Sequence, residues 1–318
     1  MLPYASYNCR MLVWMLVLGT CYVSALVVEG VRRRVDHPAA SWGAWALAAV
    51  GLAVHSIYLA VRAGRADVPP LLASPHDWLL VLSWLVVLTL VVAGRVLPHV
   101  SLGTHLLPPA VAIVVVAAFV RDDAGQRLHE NYWWVLAHSA FVVLGLAGTV
   151  LAFVTSLMYL AQHRRLKRRR PLASGARLLD LERLSRINWW CVVLAVPLIT
   201  VGFAMGFALI LASENAAAAV PPSQPAIIVL AVLWVGVSVL MGWLLLHPAA
   251  GGTAVAVRTA WASGFVLLTV LSLTVLQPGG GVHSTRDEAS ATRPPGATGV
   301  NFDQADANDH ADARGADA

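Results

Sequence analysis

Charge is scarce in this chain. Only 12% of its 318 residues are Asp, Glu, Lys or Arg, against 58% hydrophobic residues; that balance excludes an ordinary soluble domain, in which about a quarter of residues are charged. Acids are missing where transport chemistry needs them. No Asp or Glu lies well inside any long apolar run, so the usual proton or cation relay of a membrane carrier has no residues to run on. Cysteine is equally sparse: Cys9, Cys21 and Cys191 form no C-x-x-C or C-x-x-C-H pattern, which excludes a thioredoxin-like dithiol and covalently attached haem. These three read as packing residues. No G-x-S-x-G elbow, H-E-x-x-H helix or phosphate loop occurs, and no enzymatic activity is expected.

What is abundant is apolar sequence in runs near the ~20 residues that cross a bilayer as helix. Eight such runs are placed at 11–29, 41–62, 78–97, 104–120, 133–161, 188–211, 225–247 and 254–277. They predict an all-α, polytopic membrane helix bundle of eight transmembrane helices. The first run follows only Arg10 and lacks a small-residue cleavage site before Arg32, so it reads as a retained span. Basic residues set the orientation. With the N-terminus outside, 14 of the 22 fall on the inner side, among them Arg32, Arg33, Arg34, Arg95 and the block from Arg164 to Arg186. Both termini are therefore expected outside, in the inner (cytoplasmic) membrane. The run HRRLKRRR is explained as a topology anchor that touches anionic lipid, and no nucleic-acid partner is expected. Two domains result: a transmembrane domain over 1–284 and an acidic tail over 285–318 that holds too little apolar surface to order itself and is expected to be disordered and external.

Eleven histidines are present, and topology sorts them. His37, His76, His99, His105, His129, His163 and His310 fall in loops, turns or the tail and read as solvated. His138 lies about 8 Å into the fifth span from its outer end at 1.5 Å per residue. His283 follows the outer end of the eighth span after the glycine-rich QPGGGVHS. Two imidazoles on one membrane face are what an axially ligated haem or metal requires. For a single intramembrane histidine the plain alternative is a hydrogen bond to a carbonyl of a neighbouring helix. His55, inside the second span, and His247, at the inner end of the seventh, form a weaker internal pair because their depths differ.

The run from His138 to Lys167 then resembles the characteristic segment of cytochrome c assembly membrane proteins of the CcsA, CcmC and HemX type. It has a histidine opening a span, Gly145 and Gly148 through the middle, and Tyr159, Leu160, Gln162, Leu166 and Lys167 at the end. The following LDLERLSRINWWCVVLAVPLITVG is similar to the family's amphipathic lead into its next span, matching at Leu181, Glu182, Leu184, Arg186, Asn188, Pro197, Leu198, Thr200 and Gly202. The last span closes in G-x-H-S at His283, and Asp77 stands about where the family has a Glu. The resemblance implies b-type haem held non-covalently, with His138 and His283 as axial ligands to the iron. Trp133 and Trp134 read as an interfacial belt, the alternative being that Trp134, one helical turn before His138, borders the haem; His55 and His247 are expected as an internal relay. One departure is plain. Between spans six and seven the family's haem-presenting members carry a tryptophan-rich segment, and GFALILASENAAAAVPPSQPAIIVL has no tryptophan, so the chain is HemX-like.

Two functions follow as expectations. The first is an integral membrane haem-handling or assembly factor in cytochrome c biogenesis, working in the lipid bilayer with another membrane subunit of the same pathway. The second is a haem-free regulatory or scaffold protein of tetrapyrrole synthesis, contacting a soluble partner through the basic loop 162–187.

Overall fold

The computed structural model describes residues 2–32, 38–64, 71–72, 74–96, 102–120, 132–168, 180–211, parts of 228–239, and 252–276. Seven helices are continuous over the described residues: α1 (Leu2–Arg32), α2 (Pro38–Ala63), α3 (Pro75–Val96), α4 (Gly103–Phe119), α5 (Tyr132–Lys167), α6 (Leu181–Leu211) and α8 (Gly252–Leu276). Between the last two lies α7, helical at residues 228–229, 231–232, 234–236 and 238–239. No strand occurs among the described residues. Six of the helices are long and apolar enough to cross a bilayer, and Gly103–Phe119 is a shorter apolar helix. The chain is thus a multi-pass helical membrane protein, in which each segment satisfies its own backbone groups without water.

Seven of the eight expected spans fall on helix over their described residues; of the expected span 225–247 only nine residues are described, and these are helical. The helices run longer than the apolar runs, because polar flanks continue the helical backbone beyond the hydrocarbon. The clearest case is α6, which begins at Leu181 rather than 188. Its lead is amphipathic for a visible reason: Leu184 and Asn188, one turn apart, are buried, while Glu182 and Arg186 are exposed and pair with each other at 2.9 Å. Asn188 Oδ1 accepts a hydrogen bond from Ser156 Oγ at 3.0 Å. His163, expected in a loop, instead lies on α5 with its ring stacked on Tyr159 at a 6.4 Å centroid separation. Tyr159 and Gln162 turn inward, and Tyr159 packs against the Cα of Gly252 at the start of α8.

The helix α5 is the hub, packing on α3, α4, α6 and α8, most extensively on α6. In a bilayer apolar burial gives helices little reason to associate, so close backbone approach through small residues takes its place. Gly148 fits this role, since a Cβ there would sit 2.9 Å from Ala195 Cβ and 3.3 Å from Ala195 Cα. Gly145 is tighter, with the backbone nitrogen of Ile199 3.0 Å and the carbonyl of Ala195 3.2 Å from where a Cβ would go. Changing Gly145 to Val is expected to destabilise the bundle by at least 1–3 kcal/mol, the usual range for overpacking, measurable as a lower unfolding midpoint in detergent. An unshifted midpoint would show that the two helices are not pressed together there. At the other side α1 packs on α2 and α4, and α3 on α2 and α4, around the fully buried Leu18, Tyr22, Leu79, Leu80, Val86, Val87 and Ala110.

Candidate functional site

One end of the bundle carries Arg32, Arg95, Arg164, Arg165, Lys167, Arg183, Arg186 and Arg258 and is the basic end. His138 lies near the opposite end, six residues into α5 from Tyr132. Its Nδ1 is 2.7 Å from the carbonyl oxygen of Gly202 on α6. A carbonyl can only accept, so Nδ1 carries the proton and Nε2 is the bare nitrogen. That is the arrangement in which a metal-binding histidine is oriented by its second nitrogen. One turn further along α6, a Cβ on Gly206 would lie 2.6 Å from His138 Cε1 and 2.9 Å from Nδ1. The ring therefore rests against the bare Cα of Gly206. Gly202 is needed as well, because a Cβ there would meet Val142 Cγ2 at 2.7 Å and Val142 N at 3.1 Å. The plain alternative for an intramembrane histidine accounts for one of its nitrogens, and Nε2 is left available to a ligand.

The floor of this cradle is braced from α7. Trp234 Nε1–H donates to Thr200 Oγ1 at 2.9 Å, and its ring stacks on Phe203 with centroids 5.5 Å apart and planes 2° from parallel. Trp134, one turn before His138, is 60% exposed and Trp133 75%, placing both on the outer surface of the bundle as an interfacial belt requires. His283 and His247 lie outside the described residues.

His55 is fully buried on α2, eight residues before Ala63. Its Nδ1 shares a 2.9 Å hydrogen bond with the Tyr22 hydroxyl of α1. Its Nε2 is buried with no hydrogen-bond partner among the described residues. His55 thus belongs to the α1–α4 half of the bundle, and α2 makes no extensive contact with α5.

A second constellation was invisible in the hydropathy pattern. His76, expected as a solvated loop residue, is 1% exposed, and its Nδ1–H donates to the carbonyl of Ala117 at the end of α4, 2.8 Å away. Its Nε2 has no hydrogen-bond partner among the described residues. Beside it Asp77 is 0% exposed and receives the Arg62 guanidinium in a two-pronged pair: Nε to Oδ1, and Nη2 to Oδ2 at 2.9 Å. The local sequence builds this position. In S-P-H-D, Ser74 caps α3 and its Oγ accepts from the Asp77 amide at 3.2 Å; Pro75 takes the first helical position, where no N–H is needed. The available signal was a cation in the last turn of α2 and an acid in the first turn of α3, joined by a short link.

Among the described residues no cluster of three or more His, Cys, Asp or Glu side chains could hold a metal ion by itself. Compared with protein-family models, residues 72–213 match the family described as Cytochrome C assembly protein. The match takes in His76, Asp77, His138, Gly202 and Gly206, while Arg62 and Trp234 lie outside it. No curated protein and no solved structure matches the chain.

Proposed function

Since residues 72–213 belong to the cytochrome c assembly protein family, which supports a role in cytochrome c biogenesis, we propose that the chain is a haem-handling assembly factor that holds b-type haem at the end of the bundle opposite the basic one. With the orientation given by the positive-inside rule, that end faces out of the cytoplasmic membrane. The observation that carries the reading is the 2.7 Å hydrogen bond between His138 Nδ1 and the Gly202 carbonyl. The Gly202 carbonyl accepts a hydrogen bond from Nδ1–H, so in the neutral ring Nε2 is the nitrogen that keeps its lone pair, as a ligand to iron must.

His138 and His283 would each supply an imidazole nitrogen to hold the haem iron. Haem itself supplies one-electron redox chemistry. The protein's part is to orient the imidazole through Gly202, to seat it on Gly206, and to keep the site at a defined depth beside the interfacial tryptophans. The tryptophan-free segment after α6 supports a HemX-like member that acts with another membrane subunit, which would provide the flat apolar face for haem presentation.

The test is an optical spectrum of the purified, detergent-solubilised protein, oxidised and dithionite-reduced. A low-spin bis-histidine spectrum is expected for the natural chain, and its loss when His138 and His283 are both changed to Ala. A protein that stays colourless when produced with excess haem would overturn the reading in favour of the haem-free regulatory or scaffold role.

A further inference from the structure

The basic end holds a cavity that haem handling does not use. It measures about 170 Å³ and opens where the end of α1, the start of α2, the end of α3 and the start of α4 meet. Arg32, Arg95, Trp42, Trp45, Glu29 and Gly103 form its polar and aromatic wall, with Leu90 and Leu107 below. We propose that it binds the phosphate headgroup of an anionic phospholipid from the leaflet that meets the basic end.

The charge count gives the sign of the ligand. Glu29 is 4% exposed, pairs with Arg32 at 2.9 Å, and sits against Gly103, where a Cβ would be 3.1 Å from its Cγ. A carboxylate at the first residue of α4 also meets the positive end of that helix. Arg95 is held differently. Its guanidinium stacks 5.1 Å from the Trp45 ring centroid and 5.9 Å from that of Trp42, and among the described residues no salt bridge engages it. Two guanidiniums thus line the cavity against one carboxylate, leaving one positive charge for an incoming anion. The wall is preset: Trp45 Nε1–H donates to the carbonyl of Val91 at 3.0 Å, and the Trp45 ring packs on the bare Cα of Gly94, where a Cβ would be 2.9 Å from Cδ1.

Size and access choose among anions. At about 170 Å³ the cavity is smaller than the ~300–1,000 Å³ that encloses a whole small molecule, so it accommodates one end of something whose remainder stays outside. Trp42 is 60% exposed and Val92 and Val96 beside Arg95 are 57% and 69% exposed, so exposed apolar side chains flank the cavity, a surface on which acyl chains can lie. A positive site for an anionic head, apolar residues in the same wall and exposed apolar side chains around it fit a phospholipid. The phosphate lies between Arg32 and Arg95, and the acyl chains leave past Trp42.

Native mass spectrometry of the delipidated full chain in detergent, with phosphatidylglycerol, phosphatidylcholine or inorganic phosphate added, tests this. One phosphatidylglycerol adduct is expected, retained about fivefold or more over phosphatidylcholine, and the preference is lost in Arg95→Gln, in keeping with the worth of one arginine at an anionic lipid surface. Arg186→Gln, which removes an exposed charge from the same end, should leave it intact. If R95Q does not survive purification, Trp42→Ala, which opens the lipid-facing wall, takes its place with the same expectation. Equal retention of the two lipids, or a preference unchanged in R95Q or W42A, overturns the assignment. Inorganic phosphate bound as firmly as phosphatidylglycerol overturns it too, since the site would then recognise a free anion.

Discussion

Asp77→Ala is expected to destabilise the protein by about 3–5 kcal/mol, the range seen when one member of a buried ion pair is removed. Two nitrogens of Arg62 donate to the Asp77 carboxylate, and both side chains are out of solvent, at 5% and 0% exposure. Deleting the acid leaves the guanidinium's charge in a low-dielectric interior without that acceptor. The measurement is equilibrium unfolding in mixed detergent micelles, followed by tryptophan fluorescence. The diagnostic comparison is the double variant Arg62→Leu, Asp77→Leu, which removes both charges and should recover most of the loss, because apolar replacements of a buried pair are often neutral. If the double variant is as unstable as D77A, the contribution comes from the cap at Ser74 and not from the ion pair.

Gly206→Leu is expected to abolish haem retention, or to lower it about tenfold or more, the scale on which misplaced supporting groups act at metal sites. A side chain there must occupy the space of the His138 ring, whose Cε1 lies 2.6 Å from where the Cβ would go. The ring swings away, Nδ1 loses the Gly202 carbonyl, and with it the tautomer that presents Nε2. The readout is the haem-to-protein ratio after purification, supported by the shape of the reduced spectrum. Gly19→Leu is the matched control, since nothing lies within 4 Å of a Cβ at that position. Equal haem content in both variants would sink the idea that Gly206 seats the ligand.

The spans were legible in the sequence because a bilayer imposes a length on apolar runs, and that length repeats along the chain. His138 stood out because its depth is fixed by counting residues from a span's end. Its cradle was half legible: Gly202 and Gly206 are spaced one turn apart on one face of a helix, but that this face meets His138 is a fact of packing between α5 and α6. The Arg62–Asp77 pair shows where such counting fails. Charges at the ends of spans are ordinarily solvated, and only the meeting of α2, α3 and α4 buries these, together with His76. Glu29 escaped notice in the same way, being close to the end of α1 and yet covered by α4.

The 36 residues of α5 and 31 of α6 correspond to about 54 Å and 46 Å of helix at 1.5 Å per residue, while the hydrocarbon of a bilayer is about 30 Å thick. The excess lies largely at the basic end, where Glu182 and Arg186 are exposed on a lead that continues through Pro197 into the span carrying Gly202 and Gly206. Pro197 cannot donate the backbone hydrogen bond of an ordinary helical residue, so the alignment of this stretch rests on the packing of α6 against α5 at Gly145 and Gly148, around Ala195 and Ile199. The close approaches flank Pro197 on both sides, at Ala195 and Ile199, and so hold the half of α6 that carries the Gly202 carbonyl in line with the half that carries the exposed lead.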